Sequence, residues 1–311
     1  MSGPLRADDV EDVPTAPVGD RDVEVTSSRE SEVGGHRVRR ALPQRVRRTV
    51  GAWCFADHMG PASVAEDRPF GVGPHPHTGL QTATWLLRGE LLHLDSVGSE
   101  QPIRPGQLNL MTAGRGVAHA EEGTGGRELH GIQLWIAQPD RTRHGAPAFE
   151  HHAVLPQVEI DRAEATVLVG AFGDVTSPAR RDTDHVGVDL HLRAGRSVVP
   201  LAAGHEHALV VLEGAVRVAG RALSPGHLAY LGSGRIEVVL DALDTCRAIL
   251  LGGEPFEARP LMWWNFVARS TEEIDAAVES WNASDGRFGA TGSSWPTIPA
   301  PRPPWAPTPG S

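Results

Sequence analysis

Two stretches decide how this chain folds: Gly73-Pro74-His75-Pro76-His77-Thr78-Gly79-Leu80-Gln81 and Ala113-Gly114-Arg115-Gly116-Val117-Ala118-His119-Ala120-Glu121. Side chains at i and i+2 of a β-strand share one face, so each stretch aims two donors the same way. If the two strands pair, His75, His77, His119 and Glu121 converge. Three imidazoles and one carboxylate make a mononuclear transition-metal site.

Around these stretches the sequence keeps an all-β rhythm. TATWLLRGELLHLDS (82–96), AVRVAGRALSPGHLAYL (215–231) and RIEVVLDAL (235–243) are short apolar runs cut by Gly and Pro. The run LLRGE (86–90) followed by IRPGQLNLM (103–111) is echoed by VLEGA (211–215) followed by LSPGHLAYL (223–231). This repeat predicts two tandem antiparallel β-barrels of jelly-roll type, a first over 34–150 and a second over 151–290. Counting back from Gly214 as from Gly89 puts Pro200 and Ala202 where the first copy has His75 and His77, and LGSGRIEVVL (231–240) has no counterpart of His119. The metal site is therefore expected in the first barrel alone. His205-Glu206-His207 is out of register, has no partner strand supplying further ligands, and is expected to lie in solvent at the start of a strand.

One helix is expected, where Ser270 and Glu273 have capping-box spacing and Ile274, Ala277, Val278 and Trp281 share a face. It should pack back on a barrel as a C-terminal clasp. Residues 1–33, rich in Asp, Glu, Ser and Pro, and the Pro-rich residues 291–311 lack periodicity and are expected to be disordered tails that join no core.

With 311 residues and 40% hydrophobic composition, the chain has room for two cores. Its net charge of −10 argues against direct nucleic-acid binding. The stretch carrying Arg37, Arg39, Arg40, Arg45, Arg47 and Arg48 is interleaved with apolar residues and reads as a solvated strand edge. Cys54 and Cys246, the two cysteines, suit reduced thiols in the cytoplasm. No apolar run approaches the ~18 residues of a membrane span, and no signal-peptide pattern is seen, so the expectation is a cytoplasmic protein without membrane partners.

Of the site's neighbours, Gly114 and Gly116 free the backbone before His119, and Arg115 is suited to anchoring that turn or a polar substrate group. Met111, Gln133 and Trp135 are pocket candidates, with core packing as the alternative for Met111 and Trp135. Glu122 should face solvent, Asp57-His58 has the look of a polar turn, and His93 and His130 lack ligand spacing.

RRTVGAWCFADHMGP (47–61), PHPHTGLQTATWLLRGE (74–90), PGQLNLMTAGRGVAHAEE (105–122) and HGIQLWI (130–136) resemble the pirin family of bicupins. HALVVLEG (207–214), LSPGHLAYL, GGEPF (252–256) and NFVARSTEEIDAA (265–277) are similar to its C-terminal half, so the resemblance runs over about 35–290. It implies iron held by His75, His77, His119 and Glu121, and an activity of quercetin 2,3-dioxygenase type. An octahedral ion with four protein ligands keeps two positions for substrate and dioxygen, which favours Fe(II) over the competitors Mn, Ni, Co and Cu. Glu121 is then the expected base as well as a ligand, acting on a flavonol or another enol-bearing aromatic with O2 as co-substrate. The alternative the family offers is a non-enzymatic iron-dependent redox sensor or transcriptional co-regulator with a protein partner. Gln81 departs from the acid that many relatives carry on the first ligand strand, which would damp proton transfer.

Overall fold

Gly- and Pro-punctuated apolar runs become antiparallel strands in the computed structural model, which describes residues 23–63, 70–124 and 128–306. The first 152 residues supply β1 (Glu24–Ser27), β2 (Arg29–Val33), β3 (His36–Leu42), β4 (Trp53–Ser63), β5 (Gly71–His77), β6 (Leu80–Arg88), β7 (Leu91–Asp95), β8 (Glu100–Ile103), β9 (Leu108–Thr112), β10 (Val117–Gly123), β11 (Glu128–Ala137) and β12 (Ala148–His152), all but β1 belonging to the first half. Seven of them form a sheet in the order β12-β9-β6-β11-β4-β3-β2, and four form a second sheet, β5-β10-β7-β8. The second half repeats the plan with a seven-stranded and a four-stranded sheet. Each half is thus a two-sheet jelly-roll sandwich, open at its edges where a sealed barrel would be closed.

Strand alternation sends residues of the first large sheet to two destinations. On β6 and β9, Ala83, Trp85, Leu108 and Leu110 face outward and meet Val210, Ile249 and Leu251 of the second half in one buried core. Trp53 Nε1 donates to the carbonyls of Val186 and Gly252, both at 3.1 Å, and Trp85 Nε1 donates to Asp189 Oδ2 at 2.9 Å. Both indoles therefore bury their rings without orphaning their N–H groups. The opposite residues of the same strands face the small sheet and enclose the site.

The ends of the chain correct the expectation of disordered tails. Residues 1–22 and 307–311 lie outside the described residues, but 24–27 and 29–33 are strands. β1 pairs with His227–Gly232 of the second half, whereas β2 pairs with β3 of the first. Backbone pairing, which a hydrophobic pattern does not register, fixes these polar segments. Residues 293–306 are ordered against the first half by Trp and backbone contacts rather than by a periodic apolar face. The division at residue 34 consequently misplaces β1, and the second half does not keep its C-terminal residues to itself.

The helix α1 spans Thr271–Ala283, and the Ser270 side chain accepts from the Glu273 N–H. Glu273 does not close the box reciprocally on Ser270; it accepts from the Arg269 N–H at 2.9 Å and pairs with Arg143. Ile274, Ala277 and Val278 are buried against a hairpin of Leu261–Trp263 and Phe266–Ala268, with Ala118 of β10 in the same cluster. That contact makes the helix a clasp on the first half.

Candidate metal centre

Strand β10 sits between β5 and β7, so its inward residues meet donors from both sides. His119 lies opposite His75 on β5 and opposite Asp95 on β7, and Glu121 lies opposite His93. A bulge on the β5 side between His119 and Glu121 re-aims the carboxylate relative to the histidines. One ring nitrogen each from His75, His77 and His119 falls within a 4.8 Å cluster, and His93, His119 and Glu121 make a second such cluster sharing His119. All four sequence-predicted residues are thus brought to one place, with Glu121 in the second group rather than in the three-histidine group.

Hydrogen bonds set which nitrogens are free. His75 Nδ1 donates to Gly73 O at 2.8 Å, and His77 Nδ1 donates to Asn265 O at 3.0 Å. Each ring therefore keeps its Nε2 lone pair, and the Nε2 atoms of His77 and His119 face each other at 3.1 Å. His93 Nε2 donates to Asp95 Oδ2 at 2.9 Å, while its Nδ1 lies 3.4 Å from His119 Nδ1. Asp95 thereby makes His93 Nδ1 an acceptor, and the Nδ1–H of His119 is directed toward it.

Burial keeps this cluster neutral. Desolvation lowers His75 to a pKa of about 4, against the Gly73 hydrogen bond, and pushes His77 and His119 well below the usual imidazole range. Desolvation raises the Glu121 carboxyl, with His93 and the Thr84 hydroxyl opposing it. Neutral imidazoles with converging lone pairs and a buried carboxylate beside them are the donor set that a divalent transition ion takes. The residues fit such an ion.

The cluster forms the floor of a cavity of about 590 Å³, counting its open mouth. Phe55, Asp57 and Met59 of β4 and Gln133 and Trp135 of β11 line it, together with Val38, Trp264 and Ile298. Phe55 stacks on Trp135 with centroids 3.9 Å apart, giving a flat aromatic wall. Thr84 Oγ1 lies 3.0 Å from Glu121 Oε1 and 2.9 Å from Gln133 Oε1, joining carboxyl and amide through one hydroxyl.

Several expectations change here. Asp57-His58 is no turn: both are buried in β4, Asp57 receives Arg40 Nε and Nη2 at 2.8 and 2.6 Å, and His58 Nε2 meets His130 Nε2 at 2.8 Å. Gln81 is not on the ligand strand. The turn at Gly79, with φ +69°, separates β5 from β6, so Gln81 shares the outward face of Ala83 and Trp85 and donates to Thr112 Oγ1. It lies on the opposite face of the sheet from Thr84. His205 and His207 are both buried, His207 on an interior strand of the second large sheet and His205 just before that strand begins, yet among the described residues both candidate ion clusters are in the first half. Glu122 is half-buried and accepts from Ser293 Oγ at 2.5 Å, and Met111 belongs to the core. The sequence reading set His93 and Asp57 aside and did not single out Trp264, Asn265 or Ile298 as site residues. Only His93-Leu94-Asp95 carried a usable signal, the same i, i+2 spacing as the ligand pairs.

Two jelly-roll halves, one of them holding a buried histidine cluster under an apolar cavity, define a bicupin. The chain belongs to the pirin family: the Pirin model matches residues 35–136 and the Pirin C-terminal cupin domain matches residues 187–289. A Pseudomonas aeruginosa protein provisionally named a quercetin 2,3-dioxygenase is 44% identical over 283 residues, covering 90% of each chain. A pirin-like protein of Caulobacter vibrioides is 38% identical over 83% of this chain and 92% of its own length. The crystal structure of a quercetin 2,3-dioxygenase from Acinetobacter baumannii superposes with a TM-score of 0.89 at 42% identity, covering 92% of this chain and 97% of that one. Among the described residues no helix is long and apolar enough to cross a membrane.

Proposed function

We propose that this pirin is a metal-dependent dioxygenase acting on a flavonol or a related enol-bearing aromatic, with His75, His77, His119 and Glu121 as ligands and Fe(II) as the resident ion. The observation that carries the reading is the convergence of three neutral imidazoles beneath an aromatic-walled cavity. The names of its relatives in Pseudomonas and Acinetobacter support the same substrate class. Bound there, a divalent ion supplies Lewis-acid polarisation of an enolic oxygen and access to dioxygen chemistry.

The chain's own residues account for the rest. Phe55, Trp135 and Trp264 offer planar apolar surface and displace water from the floor. Glu121 is placed to take the proton of an acidic enol and return it, and Thr84 Oγ1 joins its carboxyl to the Gln133 amide. Asp57, clamped by Arg40, adds an acceptor on the cavity wall for a second substrate hydroxyl.

Elemental analysis of the purified protein, followed by oxygen-electrode assays of the iron-loaded form with quercetin, tests the proposal. Manganese, nickel, cobalt and copper are the competing ions that the analysis separates. The expected result is oxygen uptake that parallels loss of flavonol absorbance and disappears in His77→Ala. Fully metallated protein that consumes no oxygen with any flavonol would overturn it and leave the redox-responsive regulatory role, with a protein partner, as the better reading.

A further inference from the structure

The C-terminal residues 293–306 cross from the second half to the first and run along β5. The Ile298 N–H donates to Pro74 O at 2.9 Å, and Ser293 Oγ donates to Glu122. From the other side Trp281 Nε1 donates to Ile298 O at 2.9 Å and Trp263 Nε1 to Pro301 O at 3.2 Å. The Asn282 amide closes a reciprocal pair with Ala300, donating to its carbonyl at 3.1 Å and accepting from its N–H at 2.9 Å. β5 is shaped to receive this arm: a methyl group on Gly71 would lie 2.6 Å from the Trp295 ring, and one on Gly73 would lie 2.4 Å from Pro296 O. Non-glycine residues at either place would push the arm off.

Its result is to put the half-buried Ile298 side chain into the cavity, beside Trp264. Trp264 has φ +52°, a left-handed conformation that costs a non-glycine residue about 1 kcal/mol or more and persists where surrounding structure imposes it. A strained tryptophan and an arm held by side-chain latches both end at the same wall. Apart from Phe70 and the Asn265 tip, the rest of the cavity lining sits on sheet strands held by their ladders.

We propose that the arm is the specificity-determining wall of the cavity, with Ile298 setting the width of planar aromatic that the site admits. The inference rests on the proposed function only in taking a planar aromatic as the ligand class. Asn282, an exposed helix residue that is not part of the cavity lining, acts as a positioning residue that holds the arm closed.

The test uses full-length, metal-free protein and a graded series of probes: catechol, naphthalene-2,3-diol and quercetin. Binding is read by quenching of tryptophan fluorescence, since Trp135 and Trp264 line the cavity. Ile298→Ala should raise quercetin affinity relative to catechol at least fivefold, and Ile298→Trp should lower that ratio at least tenfold. Asn282→Ala should shift the ratio in the same direction as Ile298→Ala, although it removes no cavity atom. Ratios unchanged within twofold in the Ile298 variants, or no binding of any probe by wild type and Ile298→Ala, overturn the proposal. An unchanged ratio in Asn282→Ala alone overturns the latch. Iron-loaded wild type that consumes no oxygen with quercetin, alongside intact probe binding, would count against the dioxygenase reading and leave the wall standing.

Discussion

The Nδ1–H of His77 donates to the main-chain carbonyl of Asn265 at 3.0 Å, across 188 positions of sequence. The tip of a hairpin far along the chain thereby fixes the ring tautomer of a residue in the first half, leaving the Nε2 lone pair free for an ion.

Metal content should follow from that geometry. One ion per chain is expected, and His75→Ala, His77→Ala or His119→Ala should each reduce retention by an order of magnitude or more in chelator competition. Glu121→Gln should weaken retention less, because it spares the three-histidine group. Two ions per chain by mass spectrometry would instead assign His93, His119 and Glu121 an ion of their own.

Acid should destabilise the fold through histidines far from the site. Burial holds His185 and His207 at pKa values of about 4 in the folded protein, against an unfolded value near 6.5. A depressed folded pKa means that the unfolded chain binds protons first. The stabilisation is complete above the unfolded value and is lost as pH falls from about 6.5 toward 4. Each shift corresponds to roughly 3 kcal/mol at most. Urea midpoints measured across that window should fall steeply in the wild type and less steeply in His207→Gln.

Ending the chain after Gly292 should lower the melting temperature by several degrees, because Trp295, Ile298 and Trp305 leave their packing with it; roughly 2–4 °C accompanies each kcal/mol in a protein of this size. Ile274→Asp should be harsher, about 3–5 kcal/mol, since it buries a carboxylate in the cluster beneath the helix. Thermal scans of both variants against wild type measure these losses, and an unchanged midpoint in either would separate that segment from the core.

Gln81→Glu should not raise turnover. The side chain is fully buried on the face turned away from the cavity, and its donor bond to Thr112 would be replaced by a desolvated carboxylate. A drop of about 1–3 kcal/mol in stability, with metal content unchanged, is the expected outcome. A rise in oxygen consumption would show that Gln81 does communicate with the site.

Local alternation made His75, His77, His119 and Glu121 readable, because strand periodicity acts over two residues and survives whatever the rest of the chain does. The same rule misled at Gln81, where counting in twos from His77 ran across the Gly79 turn and onto the wrong face. The repeat around Gly89 and Gly214 disclosed two related halves, but not that β1 is paired with the second of them. Asp57 and the Trp264-Asn265 tip could not be found by pattern, since long-range sheet register and a tight turn bring them to the cavity. Ile298 lies in a Pro-rich segment whose order comes from indole and amide hydrogen bonds, a code with no period.

The reach of Asn265 and Ile298 into the first half bears on biosynthesis. During translation the histidines and Glu121 emerge well before the carbonyl that orients His77 and the Ile298 that lines the cavity, both of which lie far downstream in the chain. A chain cut short by premature termination or proteolysis before Leu261 would carry every proposed ligand and still lack a finished cavity. Closure of the cavity over the histidines is thereby tied to the synthesis of segments far downstream of them.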